Sequence, residues 1–151
     1  MAAPEDKQFT LTRTIDAARE AVWRAWTDSR VLHAWLHPRG VLTPLESIKA
    51  DVREGGRYAY TLVVPNTGTF PTAGTYLEVR APERLQFTWG NPEDSEKNFP
   101  IITVDLADDD GKTELTFRMV GVRDDRGHER SVYDGWNEAL TQLEEYLAGR
   151  G

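Results

Sequence analysis

The stretch that most constrains this chain is its last one, Ser131-Val-Tyr-Asp-Gly-Trp-Asn-Glu-Ala-Leu-Thr-Gln-Leu-Glu-Glu-Tyr-Leu-Ala148, followed by Gly149. Val132, Trp136, Ala139, Leu140, Leu143, Tyr146 and Leu147 recur at the spacing that places them on one face of an α-helix. A helix with such a face needs a broad apolar surface to lie on, and everything upstream has to supply it. Ser131 is the expected N-cap, with Asp134 three residues on as a weak capping-box partner. Gly149 is the expected stop. Gly135 is the odd residue, because glycine inside a helix costs about 1 kcal/mol relative to alanine. It either frays the first turn harmlessly or leaves room for something to approach beside Trp136.

Upstream, the periodicity changes twice. Residues 1–7 are small and charged and are expected to be a flexible end, leaving residues 8–151 as one domain. From Gln8 to Ile15, Phe9, Leu11 and Ile15 alternate with threonines, which predicts a strand. Asp16 is the expected cap of a helix carrying Val22, Trp23, Ala25 and Trp26 and ending near Asp28. Ser29 is then expected to cap a second short helix with Val31, Leu32, Trp35 and Leu36, stopped by Pro38 and Gly40.

Beyond Val41 strand and turn signals take over. Leu45 to Asp51 reads as a strand, Glu54-Gly55-Gly56 as a tight turn, and Arg57 to Val64 as its hairpin partner with Tyr58, Tyr60 and Leu62 on one face. Pro65-Asn66-Thr67-Gly68 begins a longer turn. Further strands follow at Gly74 to Val79, Arg84 to Trp89, Ile101 to Ala107 and Thr113 to Val120. They are separated by the turn Ala81-Pro82-Glu83, the polar loop Asn91 to Pro100 and the acidic turn Asp108 to Gly111. Asp124 to Arg130, which includes His128, reads as a charged loop before the final helix.

The resulting order is strand, two helices, a run of antiparallel strands and a long helix. Helices segregated from a run of strands are the signature of an α+β fold, with the helices covering one face of an antiparallel sheet. A sheet that curls around the last helix leaves a gap where the two separate, and that gap is the natural pocket.

Composition excludes several functions. Zero cysteines rule out disulfides, thiolate metal sites and a cysteine nucleophile. A formal net charge of −7 argues against nucleic-acid and anionic-membrane partners, which require a basic footprint. No apolar run reaches membrane-spanning length and the N-terminus lacks a signal-peptide layout, so a cytoplasmic protein with no membrane span is expected.

Several blocks together resemble a known family. They are Ile15 to Asp28 (with Val22-Trp-Arg-Ala-Trp26), Leu32-His-Ala-Trp35 with Pro38, Gly55-Gly-Arg-Tyr58, Gly74 to Val79, Pro82 to Trp89 and Gly135 to Leu147. In this order they are similar to the START-like (SRPBCC) superfamily, in the branch similar to the C-terminal domain of the activator of the ninety-kilodalton heat-shock chaperone's ATPase. The resemblance implies a helix-grip fold, in which a curved antiparallel sheet wraps a long C-terminal helix with a deep cavity between them. The superfamily includes lipid carriers, hormone receptors and polyketide aromatase/cyclases. The branch has no shared catalytic motif to carry over.

A search of the residues for chemistry yields little beyond aromatics. Gly55-Gly56 and the Gly68 to Gly74 stretch fit neither glycine-rich phosphate fingerprint. The acidic turn fails as a calcium loop, because Leu106 and Phe117 fall at ligand positions. His33 and His37 have the i, i+4 spacing of a zinc pair, but Pro38 ends the helix there and no glutamate lies where a zincin needs it. No metal and no cofactor are expected. Arg57, Glu78, Asp105 and Arg118 fall in strands, and the wet outer face of the sheet is the expected place for them.

The aromatics exceed what a small core requires. The candidate lining of the cavity is therefore Trp35, Tyr58, Tyr60, Tyr76, Phe87, Trp89, Phe117, Met119, Gly135, Trp136 and Leu140.

Three functional readings follow. The first is a binding module for an apolar small molecule, lipid-like or aromatic. The second is a cyclase-type enzyme using the same cavity, with Arg57, Tyr58, Tyr76 or Trp136 orienting substrate; no residue pattern names a base, so no catalytic residue is assigned. The third is a co-chaperone-like interaction module with a chaperone partner. No exposed apolar stripe argues for a stable dimer, and a monomer or weak dimer is expected.

Overall fold

The computed structural model describes residues 7–37, 40–122 and 128–150. In chain order the elements are β1 (Lys7–Ile15), α1 (Arg19–Thr27), α2 (Ser29–Trp35), β2 (Lys49–Ala50), β3 (Arg57–Val64), β4 (Gly68–Arg80), β5 (Arg84–Thr88), β6 (Ile101–Asp109), β7 (Lys112–Val122) and α3 (His128–Arg150). The strands form one seven-stranded antiparallel sheet in the order β1-β7-β6-β5-β4-β3-β2. This is the α+β helix-grip architecture, a curved sheet with α3 on its concave face.

The alternation in the strands explains how the sheet forms. Leu115, Phe117 and Met119 of β7 and Ile102, Val104 and Leu106 of β6 all turn inward and are buried. The two strands are joined by Asp110 and Gly111, whose φ values of 56° and 89° make the primed turn that matches strand twist. β4 does most to shape the sheet. Up to Thr75 it pairs with β3, and from Tyr76 it pairs with β5, with a register shift between Tyr76 and Glu78. An extra residue at such a point increases the local twist and bends the strand.

On α3, Trp136, Ala139, Leu140, Leu143 and Leu147 are buried, as the spacing requires. Arg13 shares the inward face of β1 with Leu11 and Ile15. Its guanidinium donates to the Asn137 carbonyl oxygen at 3.1 Å and to Asn137 Oδ1, and lies 3.7 Å from Glu144 Oε1. The edge strand is thereby tied to the helix that the sheet grips.

Several local expectations are corrected. The α1 cap is Ala18 and not Asp16, because a backbone bond from Ala17 N–H to the Ile15 carbonyl (2.8 Å) turns the chain first. Asp28, not Ser29, caps α2: its backbone is extended and its carboxylate accepts from Arg30 N–H at 2.9 Å. One residue thus closes α1 and opens α2, which produces the bent pair.

Leu45 to Asp51 is not one strand. Leu45–Ser47 is a 3-10 turn, and only Lys49–Ala50 pairs with β3. Ser47 Oγ donates to the Pro44 carbonyl (2.7 Å) and accepts from Thr61 N–H (3.2 Å), a local alternative to the ladder. β4 begins at Gly68 rather than Gly74 and continues through Pro71, opposite Thr61. The pairing with β5 starts only at Tyr76, so no neighbouring strand demands the missing Pro71 N–H.

The helix α3 begins at His128, so Ser131 lies inside it and is not its cap, and His128 is helical rather than in a loop. The side chains of Ser131, Asp134 and His128 lie outside the described residues, as do residues 123–127 of the expected charged loop and Pro38. The helix also passes Gly149, where the stop was expected, and reaches Arg150. Among the described residues, no helix is long and apolar enough to cross a membrane.

Candidate functional site: an aromatic cavity under the last helix

Where α2 and β2 meet the β3–β4–β5 end of the sheet, Trp136 of α3 and Trp26 of α1 leave a partly enclosed space. Its enclosed volume is about 30 Å³, and on one side it opens to solvent. That exceeds the space one water needs, while the lining is almost wholly apolar, a combination that leaves such spaces dry or ligand-filled.

The sheet contributes Tyr58 and Tyr60 from β3, Tyr76 from β4, and Leu85 and Phe87 from β5, with Trp89 just past the end of β5. Strand alternation aims these rings the same way, and the β4 register shift brings Tyr76 into the group. Their centroids are close: Tyr58–Tyr76 at 5.4 Å, Tyr58–Phe87 at 5.6 Å and Trp89–Trp136 at 5.7 Å. Leu32, Leu36, Ile48 and Ala50 close the other side. Lys49 is the one charged residue among the described lining residues, and it is exposed.

Polar tips are mostly turned to internal partners. Tyr58 O–H donates to the Thr88 carbonyl at 2.5 Å, and Trp89 Nε1–H donates to the Tyr60 oxygen at 2.8 Å. Burial pushes the Tyr58, Tyr60 and Tyr76 phenols well above their ordinary value, first by desolvation and then, for Tyr58, by the neighbouring Tyr60, Tyr76 and Glu96. The three tyrosines of the cavity wall therefore stay neutral across the physiological range.

Behind it, on the outer side, Glu96 accepts from Thr75 Oγ1 (2.5 Å), Arg57 (3.0 Å) and Thr88 Oγ1 (3.2 Å). The Thr75 bond, aided by Arg57 and Thr88, holds the Glu96 carboxyl below its ordinary range against the opposing effect of partial burial. This cluster pins the β5–β6 loop across β3, β4 and β5 and so fixes the Thr88 carbonyl that Tyr58 uses.

Of the residues expected at the cavity from sequence, Tyr58, Tyr60, Tyr76, Phe87, Trp89 and Trp136 line it. Trp35, Phe117, Met119 and Leu140 do not; each is wholly buried in the core. Trp35 Nε1–H donates to the Ala25 carbonyl at 2.8 Å, locking α2 onto α1, and Phe117 packs against Trp136 at 4.8 Å. Gly135 is half-buried and is not part of the lining.

The structure adds Trp26, Leu32, Leu36, Ile48, Ala50 and Leu85. Periodicity identifies each as inward-facing but cannot separate a cavity wall from a core position. The charges Arg57, Glu78, Asp105 and Arg118 lie outside the cavity, paired with Glu96, Arg80, Arg84 and Gln8 respectively.

The two α2-region histidines do structural work. His33 Nδ1 donates to the Thr43 carbonyl at 2.7 Å, and Gln142 Nε2 of α3 donates to the His37 carbonyl at 2.5 Å. Among the described residues, no group of three histidine or carboxylate side chains gathers to hold a metal.

The profile of the family described as Activator of Hsp90 ATPase homolog 1-like protein matches residues 16–148. The chain belongs to this family. The START-like relationship read from the sequence blocks is thereby established, and similar solved structures agree with the fold. Activator-homolog-like architecture is shared with protein CV1439 of Chromobacterium violaceum, at 28% identity and a TM-score of 0.82, covering 93% of this chain and 97% of that one. Protein NE0264 of Nitrosomonas europaea follows at 26% identity and a TM-score of 0.80, covering 95% and 96%. The AHSA1-like protein of Aeromonas hydrophila, at 21% identity and a TM-score of 0.79 over 96% and 94%, shares the fold. No curated protein gives a significant match.

Proposed function

We propose that this member of the family is a binding protein for a small apolar molecule, aromatic or lipid-like, held between the β3–β5 end of the sheet and α3. The observation that carries the reading is a partly open cavity walled by Tyr58, Tyr60, Tyr76, Phe87, Trp89 and Trp136, with its charged residue exposed. Binding sites for small molecules are dominated by apolar and aromatic walls with few polar groups.

The test is native mass spectrometry of protein purified gently from its own cells, backed by tryptophan-fluorescence titration with fatty acids, flavonoids and polycyclic aromatics. A co-purified or saturable ligand is expected. A clean unliganded mass together with a flat titration would overturn the reading.

The family description supports a second reading, in which the chain contacts an ATPase chaperone. Stimulated chaperone turnover on titration with this protein would support it, and an unchanged rate would retire it.

A further inference from the structure

The enclosed space under α3 is about 30 Å³, room for a water or two, whereas pockets for organic ligands span about 300–1,000 Å³. A ligand of that kind enters only if a wall moves. Four parts of the chain form the wall: Trp26 and Trp136 from α1 and α3, Leu32 and Leu36 at α2, the sheet from β3 to β5, and Ile48, Lys49 and Ala50 of the segment 41–50.

Three of these are fastened. Trp136 packs on Phe117 at 4.8 Å, on Trp89 at 5.7 Å and on Trp26 at 6.3 Å. Trp35 Nε1–H ties α2 to the Ala25 carbonyl of α1. β3 pairs with β4 from Arg57 to Val64, and Tyr58 O–H reaches across to the Thr88 carbonyl.

The segment 41–50 is a strap laid between α2 and β3. Its ladder to β3 consists of Lys49–Ala50 and one isolated bridge, in which Leu42 and Val63 exchange backbone bonds of 2.9 and 2.7 Å. Between them Ser47 Oγ accepts from Thr61 N–H at 3.2 Å. Toward α2, Thr43 Oγ1 donates to the Leu36 carbonyl at 2.7 Å, and the Thr43 carbonyl accepts from His33 Nδ1 at 2.7 Å. Thr43 and Ile48 are its buried side chains, while Leu42 and Leu45 stand 56% and 40% exposed. At one end Gly40 has a φ of 81° and room for a Cβ, so the chain can pivot there. At the other, Gly55 N–H bonds to the Tyr76 carbonyl at 2.9 Å and fixes the following turn to β4.

We propose that the segment 41–50 is the gate of the cavity: it lifts from β3 as a unit, withdraws Ile48 and Ala50, and enlarges the enclosed space for an apolar molecule. The proposal rests on the reading of the cavity as a ligand site. Local opening is drawn from segments with few buried apolar side chains and few backbone bonds, and the strap is that segment of the wall. A ligand that fits only the lifted state shifts the population toward it.

Amide hydrogen exchange of the unmodified protein, followed by NMR across a urea series, tests the opening. The N–H groups of Leu42, Ile48, Thr61 and Val63 belong to the bonds that hold the strap in place or shape it. They should exchange together, about a hundredfold faster than those of Val104 and Phe117 and with little dependence on urea. Because the chain has no cysteine, Leu42→Cys with Val63→Cys supplies a single reversible lock. A bonded antiparallel pair has Cα atoms about 5.5 Å apart, within disulfide reach. The neutral fluorescent probe N-phenyl-1-naphthylamine should associate about tenfold more slowly with the oxidised form than with the reduced form, which is the control for folding. If the lock does not close, the exchange pattern decides alone.

Strap amides that exchange only by global unfolding, with the urea dependence of Val104, would overturn the proposal whether or not the probe binds. Equal association with locked and reduced protein would overturn it too and leave the binding reading standing with another entrance. Strap amides that open on their own while the probe binds neither form would overturn the binding reading and, with it, the strap's role as a gate.

Discussion

Filling the cavity should separate binding from folding, and Ala50→Leu is the substitution placed to do it. Ala50 lies opposite Tyr58 in β2 and, with the preceding Ile48, lines the cavity. Leucine adds three carbon groups, roughly 90 Å³ if each takes about the share of a water molecule. The space is partly open to solvent, so the longer side chain can fill it and extend into the mouth without displacing backbone. Each buried methylene contributes about 0.8 kcal/mol, which sets a ceiling near 2.4 kcal/mol. Ala50 is only partly buried, so the gain should be about 1 kcal/mol, or a rise in Tm of about 2–4 °C for a chain of this size.

Chemical denaturation followed by tryptophan fluorescence measures the stability, and titration with a hit from the ligand panel measures binding. The expected result is a more stable protein with affinity reduced at least tenfold. Loss of more than about 1 kcal/mol would mean that the space is already filled and the new side chain overpacks it. Unchanged affinity in a stabilised variant would mean that ligands enter elsewhere. Either result refutes the reasoning.

Three further outcomes follow from the same geometry. A Cβ on Gly74 would sit 1.9 Å from the Thr88 carbonyl oxygen and 2.7 Å from the Tyr58 ring, both held by their own bonds, so Gly74→Ala should cost about 3 kcal/mol in a urea melt. A loss below about 1 kcal/mol would show that β4 and β5 can part freely there.

Because Glu96 is held below its ordinary value of 4.5, its contribution is fully present above that pH and is lost as pH falls through the folded-state value. Glu96→Gln should therefore destabilise by about 1 kcal/mol at pH 7 and progressively less in acid, and a difference that grows on acidification would contradict this sign. Tyr58, Tyr60 and Tyr76 are raised above 10.0, so stability is intact below that pH and falls as pH rises through it, because the unfolded chain ionises first. In a spectrophotometric titration these three phenols should ionise only together with unfolding. Ionisation of all five tyrosines near pH 10 in still-folded protein would refute their burial.

Much of this architecture is legible in the sequence where one local rule acts alone. Tyr58 and Tyr60 alternate without interruption, and Asp110-Gly111 meets the requirement of a primed turn, so β3 and the β6–β7 hairpin can be read directly. Legibility fails where a local rule competes with a partner distant in the chain. Ser47 could have continued a strand, but bonds to Pro44 and Thr61 made it a turn. Pro71 argued against strand, but the open side of β4 removed the objection. Arg13 occupies an inward position that alternation reserves for apolar residues, and only Asn137 and Glu144 on α3, far along the chain, account for it.

The candidate site divides along the same line. By itself the sequence determined which rings turn inward, because inward-facing is a property of strand and helix period, and on that basis Tyr58, Tyr60, Tyr76, Phe87, Trp89 and Trp136 could be named. Tertiary structure alone decided which inward rings border space and which are clasped on every side. Phe117 and Met119 obey the same strand alternation as Tyr60 and Phe87, yet the former are wholly buried in the core and the latter border the cavity.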